Sequence, residues 1–412
     1  MSPRRNSTSS RRDPSTARRD SRKKVRRDPG ILGISSLLPR SRRSRAKAHA
    51  RRPNMANPVD DNTRPAALPV TKTCVYKSIG KTRIPLDVYV PGSASTTSNP
   101  TNPPPPSTPP PSPHQHHPVM LFIHGGGWLG SNRSDYCRPL FHQFLHLGFV
   151  VVSMDYRLRP ETSLDGQLSD VADVEGWLRT RLAVELEDVR VHVDASQLVV
   201  VGASAGAHLA LLTPKLWTVA PKAILSMYGP TNLHHLPYLH RFAANPGSTL
   251  PCTADVLAAA TTYENPPTDI PVPKSAKDRV RPRQIMAMNV FQRGLVAEFL
   301  LQGLVRLDDG TLSLPEPGCV SKEEVDAISP LHLCTLIPYP PVYQVMGAAD
   351  DTFDTSHVHS FHDALLAQGV PAEKALVPNA KHAFDSAAVV EGEIHRSVVV
   401  PAVAWVARFV GL

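Results

Sequence analysis

Ser204 is the residue of this 412-residue chain whose surroundings most clearly suggest a nucleophile. It occupies the centre of the pentapeptide Gly-Ala-Ser-Ala-Gly at 202–206, between an apolar run at 198–201 and a helical pattern that begins at Ala205. This strand–turn–helix context predicts a nucleophile elbow, in which small neighbours let the chain bend sharply and present the serine hydroxyl. The backbone N–H of Ala205 and the positive end of the helix would then face negative charge formed at the serine.

A glycine run eighty residues upstream predicts further backbone N–H groups that would stabilise this negative charge. His124 and the three glycines after it come directly after a buried-strand pattern. Glycines leave their backbone N–H groups unshielded by side chains, so we expect Gly126 and Gly127 to form an oxyanion hole together with Ala205. His124 and Gly125 are predicted to position this loop rather than to carry a proton.

A serine nucleophile needs a base and an acid that orients the base, and in this architecture they follow in the order Ser, Asp or Glu, His. His382 comes just after the last strand pattern, at 375–377, and before the last helix. Asp350 lies just past the strand pattern at 342–346, at the edge where ligand sites of α/β sheets lie. We favour Asp350 because it is nearer the strand end, and the adjacent Asp351 is the alternative.

The secondary-structure elements that must position these residues alternate regularly along the chain. Continuous apolar strand patterns alternate with amphipathic helical patterns, which predicts an α/β fold with a mostly parallel sheet and helices on both faces. The strand patterns lie at 73–79, 84–90, 119–123, 149–154, 198–201, 223–228, 342–346 and 375–377.

The alternation of strand and helix patterns stops at 231–327. An insertion of this size between core strands predicts a cap or lid over the active site. A surface excursion without a role is the alternative. Its strongest helical pattern covers Ile285–Leu307 and has one broad apolar face. We predict that Phe299 on this face and Trp128 after the glycine run line a substrate pocket.

Two segments are predicted to lie outside the packed fold. Residues 1–54 hold 15 Arg and 3 Lys against 3 Asp, so they carry +15 of a total of +9 and leave the rest of the chain at −6. They predict a disordered basic tail or an extension ahead of a start at Met55, with a nuclear or organellar address as the alternative. Residues 91–118 contain 11 prolines and predict a disordered, proline-rich loop.

Composition also limits cofactors, partners and compartment. No apolar run approaches the length needed to cross a bilayer, and the five cysteines are scattered without a C-x-x-C pair. We therefore expect a cytoplasmic protein with reduced thiols, no metal and no cofactor. The expected partner is a small-molecule ester substrate and not a nucleic acid, and the sequence leaves the oligomeric state undetermined.

Together these motifs resemble the α/β-hydrolase superfamily, and more narrowly the hormone-sensitive-lipase-like (α/β-hydrolase fold-3) esterases. In that family the HGGG loop and G-x-S-A-G occur together with a segment that here reads Asp-Tyr-Arg-Leu-Arg-Pro-Glu at 155–161. The resemblance covers residues 70–412. It implies an eight-stranded, mostly parallel sheet with Ser204, Asp350 and His382 as the catalytic triad.

The resemblance and the motifs predict a serine hydrolase that cleaves carboxylic esters of small apolar or aromatic substrates. The elbow lacks the acidic residue that commonly precedes the serine in the lipase-like branch, and this form is also similar to kynurenine formamidases and feruloyl-esterase-like enzymes. An amidase or formamidase, a thioesterase and an acyltransferase therefore stay open. The hypothesis from a different class is a non-catalytic ligand-binding protein on the same fold. The cap at 231–327 also departs from the family, whose caps lie mainly at the N-terminus.

Overall fold

The part of the chain that the computed structural model describes consists of residues 66–92, 116–234, 250–271 and 281–412. These residues belong to one compact unit, Ala56–Leu412. The predicted basic tail at 1–54 lies outside the described residues, as does most of the predicted proline-rich loop, 93–115.

A mixed eight-stranded sheet forms the centre of the fold. In chain order the strands of the described residues are β1 (Lys72–Ile79), β2 (Thr82–Tyr89), β3 (His117–Ile123), β4 (Val150–Met154), β5 (Val193–Ala203), β6 (Ala223–Met227), β7 (Val305–Arg306), β8 (Leu312–Ser313), β9 (Val342–Gly347) and β10 (Ala372–Val377).

The order of the strands in this sheet is β1-β2-β4-β3-β5-β6-β9-β10, and β7 and β8 form a separate hairpin. The β1–β2 and β2–β4 pairs are antiparallel, and all other neighbours in the sheet are parallel. The predicted eight-stranded, mostly parallel sheet is thereby confirmed.

Helices connect the parallel strands. The α-helices of the described residues are α1 (Arg138–His146), α2 (Leu164–Thr180), α3 (Leu182–Glu185), α4 (Ala205–Leu216), α5 (Ala254–Ala260), α6 (Pro282–Gln292), α7 (Val296–Gln302), α8 (Lys322–Asp326), α9 (Pro330–Leu333), α10 (Ser356–Ala367) and α11 (Val400–Ala407). Two 3₁₀ turns, Glu187–Val189 and Arg408–Val410, and one π-helical segment, His395–Val399, complete the helical structure.

The central strands are hydrophobic on both sides because helices cover both faces of the sheet. All seven residues of β3 are buried. Its alternate residues divide between two hydrophobic clusters: Leu121 belongs to one, and Met120 and Phe122 belong to the other. Since successive side chains of a strand point to opposite faces, each face of the sheet has its own core.

Strand β3 also corrects the predicted loop at 91–118. The strand begins at His117, inside that loop, where the backbone N–H of His117 donates to the carbonyl oxygen of His192 at 2.8 Å. The imidazole of His117 is buried, and its Nδ1 lies 2.6 Å from the carbonyl oxygen of Gly148. These contacts continue the pairing of β3 with β5 for two residues beyond the apolar run on which the prediction was based.

The insertion at 231–327 lies between β6 and β9, and its described part contains α5 to α8 and the β7–β8 hairpin. The prediction of one helix over Ile285–Leu307 was wrong. The chain forms two shorter helices, α6 and α7, because Gly294 turns into the left-handed region with a φ of 67°. After α7 the chain turns again at Gly303 and enters β7.

Two of the buried histidines in the described residues, His124 and His208, have no exposed surface. Nδ1 of His124 donates to the carbonyl oxygen of Gly125 at 2.9 Å, and Nε2 of His208 donates to that of Ile328 at 2.8 Å. Burial lowers the pKa of each imidazole to about 4, because a charged ring loses its hydration there. Neither ring can be protonated at neutral pH without a cost to the fold.

We predict that acid destabilises the folded protein through these two rings. An unfolded histidine titrates near pH 6.5, so below that pH the unfolded chain binds protons that the folded protein excludes. Stability is therefore lost as the pH falls from about 6.5 to about 4, by up to about 3 kcal/mol for each ring. Urea unfolding at pH 7 and pH 4.5 measures this difference. His208→Gln should reduce this difference in unfolding free energy, whereas His146→Gln, at an exposed position, should leave it unchanged. An equal difference between the two pH values in both variants would contradict the prediction.

Candidate active site

Ser204 sits in a strained turn between β5 and α4. Its backbone has a φ of 53° and a ψ of −119°, a region that residues with a side chain rarely adopt. The turn is possible because of the glycines on both sides. A Cβ atom at Gly202 would lie 2.2 Å from the carbonyl oxygen of Gly206, and one at Gly206 would lie 2.1 Å from that of Ile123. The sharp bend therefore requires both glycines, and it places the hydroxyl at the carboxyl edge of the sheet.

His382 stands between this hydroxyl and a carboxylate. Its Nε2 lies 2.9 Å from Oγ of Ser204, and its Nδ1 lies 2.9 Å from Oδ2 of Asp350. The three residues come from different loops, after β5, β9 and β10 respectively. Because these strands are parallel, their carboxyl ends meet at one edge of the sheet, and the structure brings all three predicted residues together there.

The structure places Asp350, and not Asp351, against the imidazole. The side chain of Asp350 is fully buried, and its Oδ1 accepts hydrogen bonds from the backbone N–H groups of Thr352 and Phe353, at 2.8 and 3.0 Å. These bonds fix the orientation of the carboxylate. Asp351 lies instead 3.7 Å from the ammonium group of Lys381.

Two aromatic rings that the sequence analysis missed hold the imidazole of His382. The ring of Tyr228 meets it edge to face at 4.9 Å between centroids, and the ring of Phe353 does so at 5.5 Å. The hydroxyl of Tyr228 donates to Oδ1 of Asp385 at 2.8 Å, and burial raises the pKa of that carboxyl. The one available signal was the position of Tyr228 at the end of a predicted strand at the same sheet edge.

The glycine run forms a loop directly beside the nucleophile. A Cβ atom at Gly125 would lie 3.3 Å from Cβ of Ser204, and one at Gly126 would lie 2.1 Å from the carbonyl oxygen of Gly130. Gly126 and Gly127 both have positive φ values, 92° and 62°. Within the described ranges neither of them donates its backbone N–H to another protein group. Both N–H groups are thus available to a ligand, as the predicted oxyanion hole requires.

His124 and Tyr156 hold this loop through ring stacking and hydrogen bonds. Their rings stack at 4.3 Å between centroids, and the hydroxyl of Tyr156 donates to the carbonyl oxygens of His124 and Gly125, both at 3.1 Å. Since the imidazole of His124 is fully buried and hydrogen-bonded within the loop, its surroundings suit a positioning residue.

The two residues predicted to line a substrate pocket are packed in the interior. Trp128 is 1% exposed and meets the ring of His208 edge to face, and Phe299 is 2% exposed and packs against the guanidinium of Arg159. The cap aromatic that does reach the glycine loop is Phe291, at the end of α6. The sequence analysis missed Phe291 because it assumed one continuous helix and judged its faces from that helix alone.

Among the residues that the structure describes, no three His, Cys, Asp or Glu side chains are grouped so that they could hold a metal ion. None of the helices described above combines the length and the apolar character that a membrane span requires.

The arrangement has the parts needed for acyl transfer. The hydroxyl of Ser204 is hydrogen-bonded to the imidazole of His382, and the buried carboxylate of Asp350 is hydrogen-bonded to the other nitrogen of that ring. Two backbone N–H groups that have no protein acceptor among the described residues lie beside the hydroxyl. Such a set can deprotonate the nucleophile and stabilise the oxyanion of a tetrahedral intermediate.

Comparison with known proteins agrees with this topology. Residues 108–261 match the family model described as BD-FAE, an α/β-hydrolase esterase family. The chain has the α/β-hydrolase fold. A solved structure of a Staphylococcus aureus protein of unknown function is similar to this chain with a TM-score of 0.51 and 14% identity, over 80% of this chain and 96% of that one. Esterase 2 of Thermogutta terrifontis is similar with a TM-score of 0.49 and 17% identity, over 84% and 96% of the two chains.

The curated relatives are much longer proteins. The non-reducing polyketide synthase mapC of Penicillium brevicompactum is 28% identical over 342 residues, which are 78% of this chain and 13% of the synthase. The synthase adrD of Penicillium roqueforti is 30% identical over 335 residues, which are 76% of this chain and 12% of that protein. The chain thus spans about an eighth of the length of these relatives.

We predict that Asp350→Asn slows the reaction of Ser204 with a fluorophosphonate probe by at least about a thousand-fold. The amide favours the wrong tautomer of His382, so the imidazole can no longer accept the serine proton. Asp351→Asn, the matched change at the adjacent residue, should alter the labelling rate less than about three-fold, because its carboxylate lies away from the imidazole. Time courses of labelling in the three proteins measure both effects, and a slow Asp351→Asn protein with a fast Asp350→Asn protein would reverse the assignment.

Proposed function

We propose that this chain is a serine hydrolase that cleaves carboxylic esters of small apolar or aromatic substrates. The observation that carries the proposal is the unbroken hydrogen-bonded series from Ser204 through His382 to Asp350. The esterase-like fold and the match to an esterase family model support the same reaction class. The intact series also disfavours a purely ligand-binding role, for which a reactive serine would have no use.

In the proposed first step Oγ of Ser204 attacks the carbonyl carbon of the ester. His382 takes the hydroxyl proton on Nε2, and the carboxylate of Asp350 stabilises the imidazolium that forms. Negative charge develops on the former carbonyl oxygen, which receives hydrogen bonds from the N–H groups of Gly126, Gly127 and Ala205. Each such donor contributes roughly 3–4 kcal/mol to lowering the barrier in comparable sites.

The second step releases the alcohol and then the acid. The protonated Nε2 of His382 returns its proton to the leaving alkoxide as the C–O bond breaks, which leaves an acyl group on Ser204. A water molecule, deprotonated by the same nitrogen, attacks the acyl-enzyme and regenerates the free serine. The rings of Tyr228 and Phe353 keep the imidazole in one orientation through both transfers.

We predict that Ser204→Ala abolishes hydrolysis of p-nitrophenyl acetate and butyrate, by at least about a thousand-fold, while the far-ultraviolet circular dichroism is unchanged. The alanine removes the only atom that forms the acyl-enzyme bond. Ser360→Ala, a matched change on the exposed face of α10, should keep full activity. Persistent hydrolysis and persistent fluorophosphonate labelling in Ser204→Ala would contradict the proposal.

A second candidate is hydrolysis of an acyl thioester, and one observation favours it. About three quarters of this chain is similar to a segment of non-reducing polyketide synthases. We infer that a hydrolase segment within such a synthase would act on an acyl group carried as a thioester. The same residues would act in the same order, and the thiolate, as a better leaving group than an alkoxide, would depend less on a proton from His382.

A matched pair of substrates separates the two candidates. We expect the ethyl ester of a small aromatic acid to be cleaved with a higher kcat/KM than the N-acetylcysteamine thioester of the same acid, after each is corrected for its uncatalysed rate. Ser204→Ala should remove both activities. A corrected preference of about ten-fold or more for the thioester would make the second candidate the function, and dominant cleavage of an N-formyl amide would favour a formamidase.

A further inference from the structure

The cap helix α6 is fastened to the body next to the glycine loop. Its Arg283 is almost fully buried and donates from Nη1 to the carbonyl oxygens of Leu129, at 3.3 Å, and of Arg159. Its Nη2 forms an ion pair with the carboxylate of Glu161. Leu129 is two residues beyond Gly127, so this one guanidinium joins the cap helix to the end of the glycine loop.

A second attachment lies earlier in the insertion. The backbone N–H of Ser131 donates to the carbonyl oxygen of Ile270 at 2.6 Å, and the N–H of Ile270 returns a bond to Ser131 at 3.3 Å. The N–H of Leu158 donates to the carbonyl oxygen of Pro267 at 2.8 Å. Backbone hydrogen bonds to two separate segments of the body, at Ser131 and at Leu158, hold this part of the cap.

These attachments place the ring of Phe291 on the glycine loop. A Cβ atom at Gly127 would lie 3.2 and 3.3 Å from Cε2 and Cζ of Phe291, so the ring fills the space that a side chain at 127 would take. Phe291 is half-buried and packs against both hydrophobic clusters of the body. The ring therefore lies within van der Waals contact of Gly127, the residue whose N–H would hold a substrate oxygen in the proposed reaction.

We propose that Phe291 is the residue that sets acyl-group specificity, by forming a wall that admits unbranched or flat acyl groups and excludes groups branched at the carbon next to the carbonyl. This inference rests on the proposed ester hydrolysis. A substrate carbonyl oxygen that accepts hydrogen bonds from the glycine loop would bring the carbon next to the carbonyl close to this ring. A flat group gains dispersion contacts there, whereas extra methyl groups overlap with the ring.

The test compares p-nitrophenyl acetate, isobutyrate and pivalate, which add methyl groups at that one carbon. Phe291→Ala should raise the ratio of kcat/KM for pivalate to that for acetate by about ten-fold or more, as expected for removal of a steric block of this size. Phe291→Leu should give a smaller increase, and Phe291→Trp should lower the ratio. Phe409→Ala removes a half-buried phenylalanine beyond α11, away from the cap, and should leave the ratio at the wild-type value.

The possible outcomes distinguish failure of the inference about Phe291 from failure of the proposed ester hydrolysis. If the Phe291→Ala and Phe291→Leu proteins melt cooperatively and keep the wild-type ratio, the inference is overturned while ester hydrolysis stands. It is equally overturned if Phe299→Ala changes the ratio and the Phe291 variants do not, since that result would place the wall on α7. If the wild-type protein cleaves none of the three esters and does not react with a fluorophosphonate, the proposed function fails and the inference fails with it.

Discussion

The site depends on how closely the backbone of the elbow approaches the end of β3. Gly206 lies so near the carbonyl oxygens of Ile123 and His124 that a Cβ atom there would stand 2.1 and 2.3 Å from them. This approach fixes the distance between α4 and the glycine loop, and hence between the serine hydroxyl and the N–H groups of Gly126 and Gly127. Because β3 and β5 are parallel neighbours, both ends arrive at the same edge, and the strained backbone of Ser204 is held from two sides.

The other half of the site is held by side chains rather than by backbone. His382 lies on a loop after β10, and no strand geometry fixes its ring. The carboxylate of Asp350 bonds to Nδ1, while Tyr228 and Phe353 pack against the imidazole. The buried hydroxyl–carboxyl bond between Tyr228 and Asp385 joins the end of β6 to the loop that carries His382. The orientation of the base thus depends on packing among three separate segments.

The cap is attached to the body directly after the glycine run. Arg283 donates to the carbonyl oxygen of Leu129, and Ser131 and Ile270 exchange backbone hydrogen bonds. A substitution that loosens these contacts would move Phe291 relative to Gly127. In the proposed enzyme, substrate selection by Phe291 and charge stabilisation by the glycine loop are therefore coupled through a short stretch of shared contacts.

The sequence by itself determined most elements of the fold and the residue types of the candidate site. The alternation of apolar runs and helical patterns is a local property, and it was sufficient to predict the eight strands of the sheet. The glycine spacing around Ser204 and after His124 is likewise local, since only glycine fits such turns. The sequence could not determine that β3 begins at His117, because pairing with β5 extends that strand beyond its apolar run. It also did not determine that Gly294 divides the cap helix.

Tertiary structure alone decided which side chains meet. The sequence favoured Asp350 over Asp351 only because it is nearer the strand end, and the direction of the turn after β9 is what brings it to His382. Phe291 and Phe299 are equally apolar cap residues, and only the anchoring of α6 places the first at the glycine loop and the second in the interior. Local patterns fix the type of each element, but contacts between residues distant in sequence depend on how whole elements pack, and no local pattern encodes that packing.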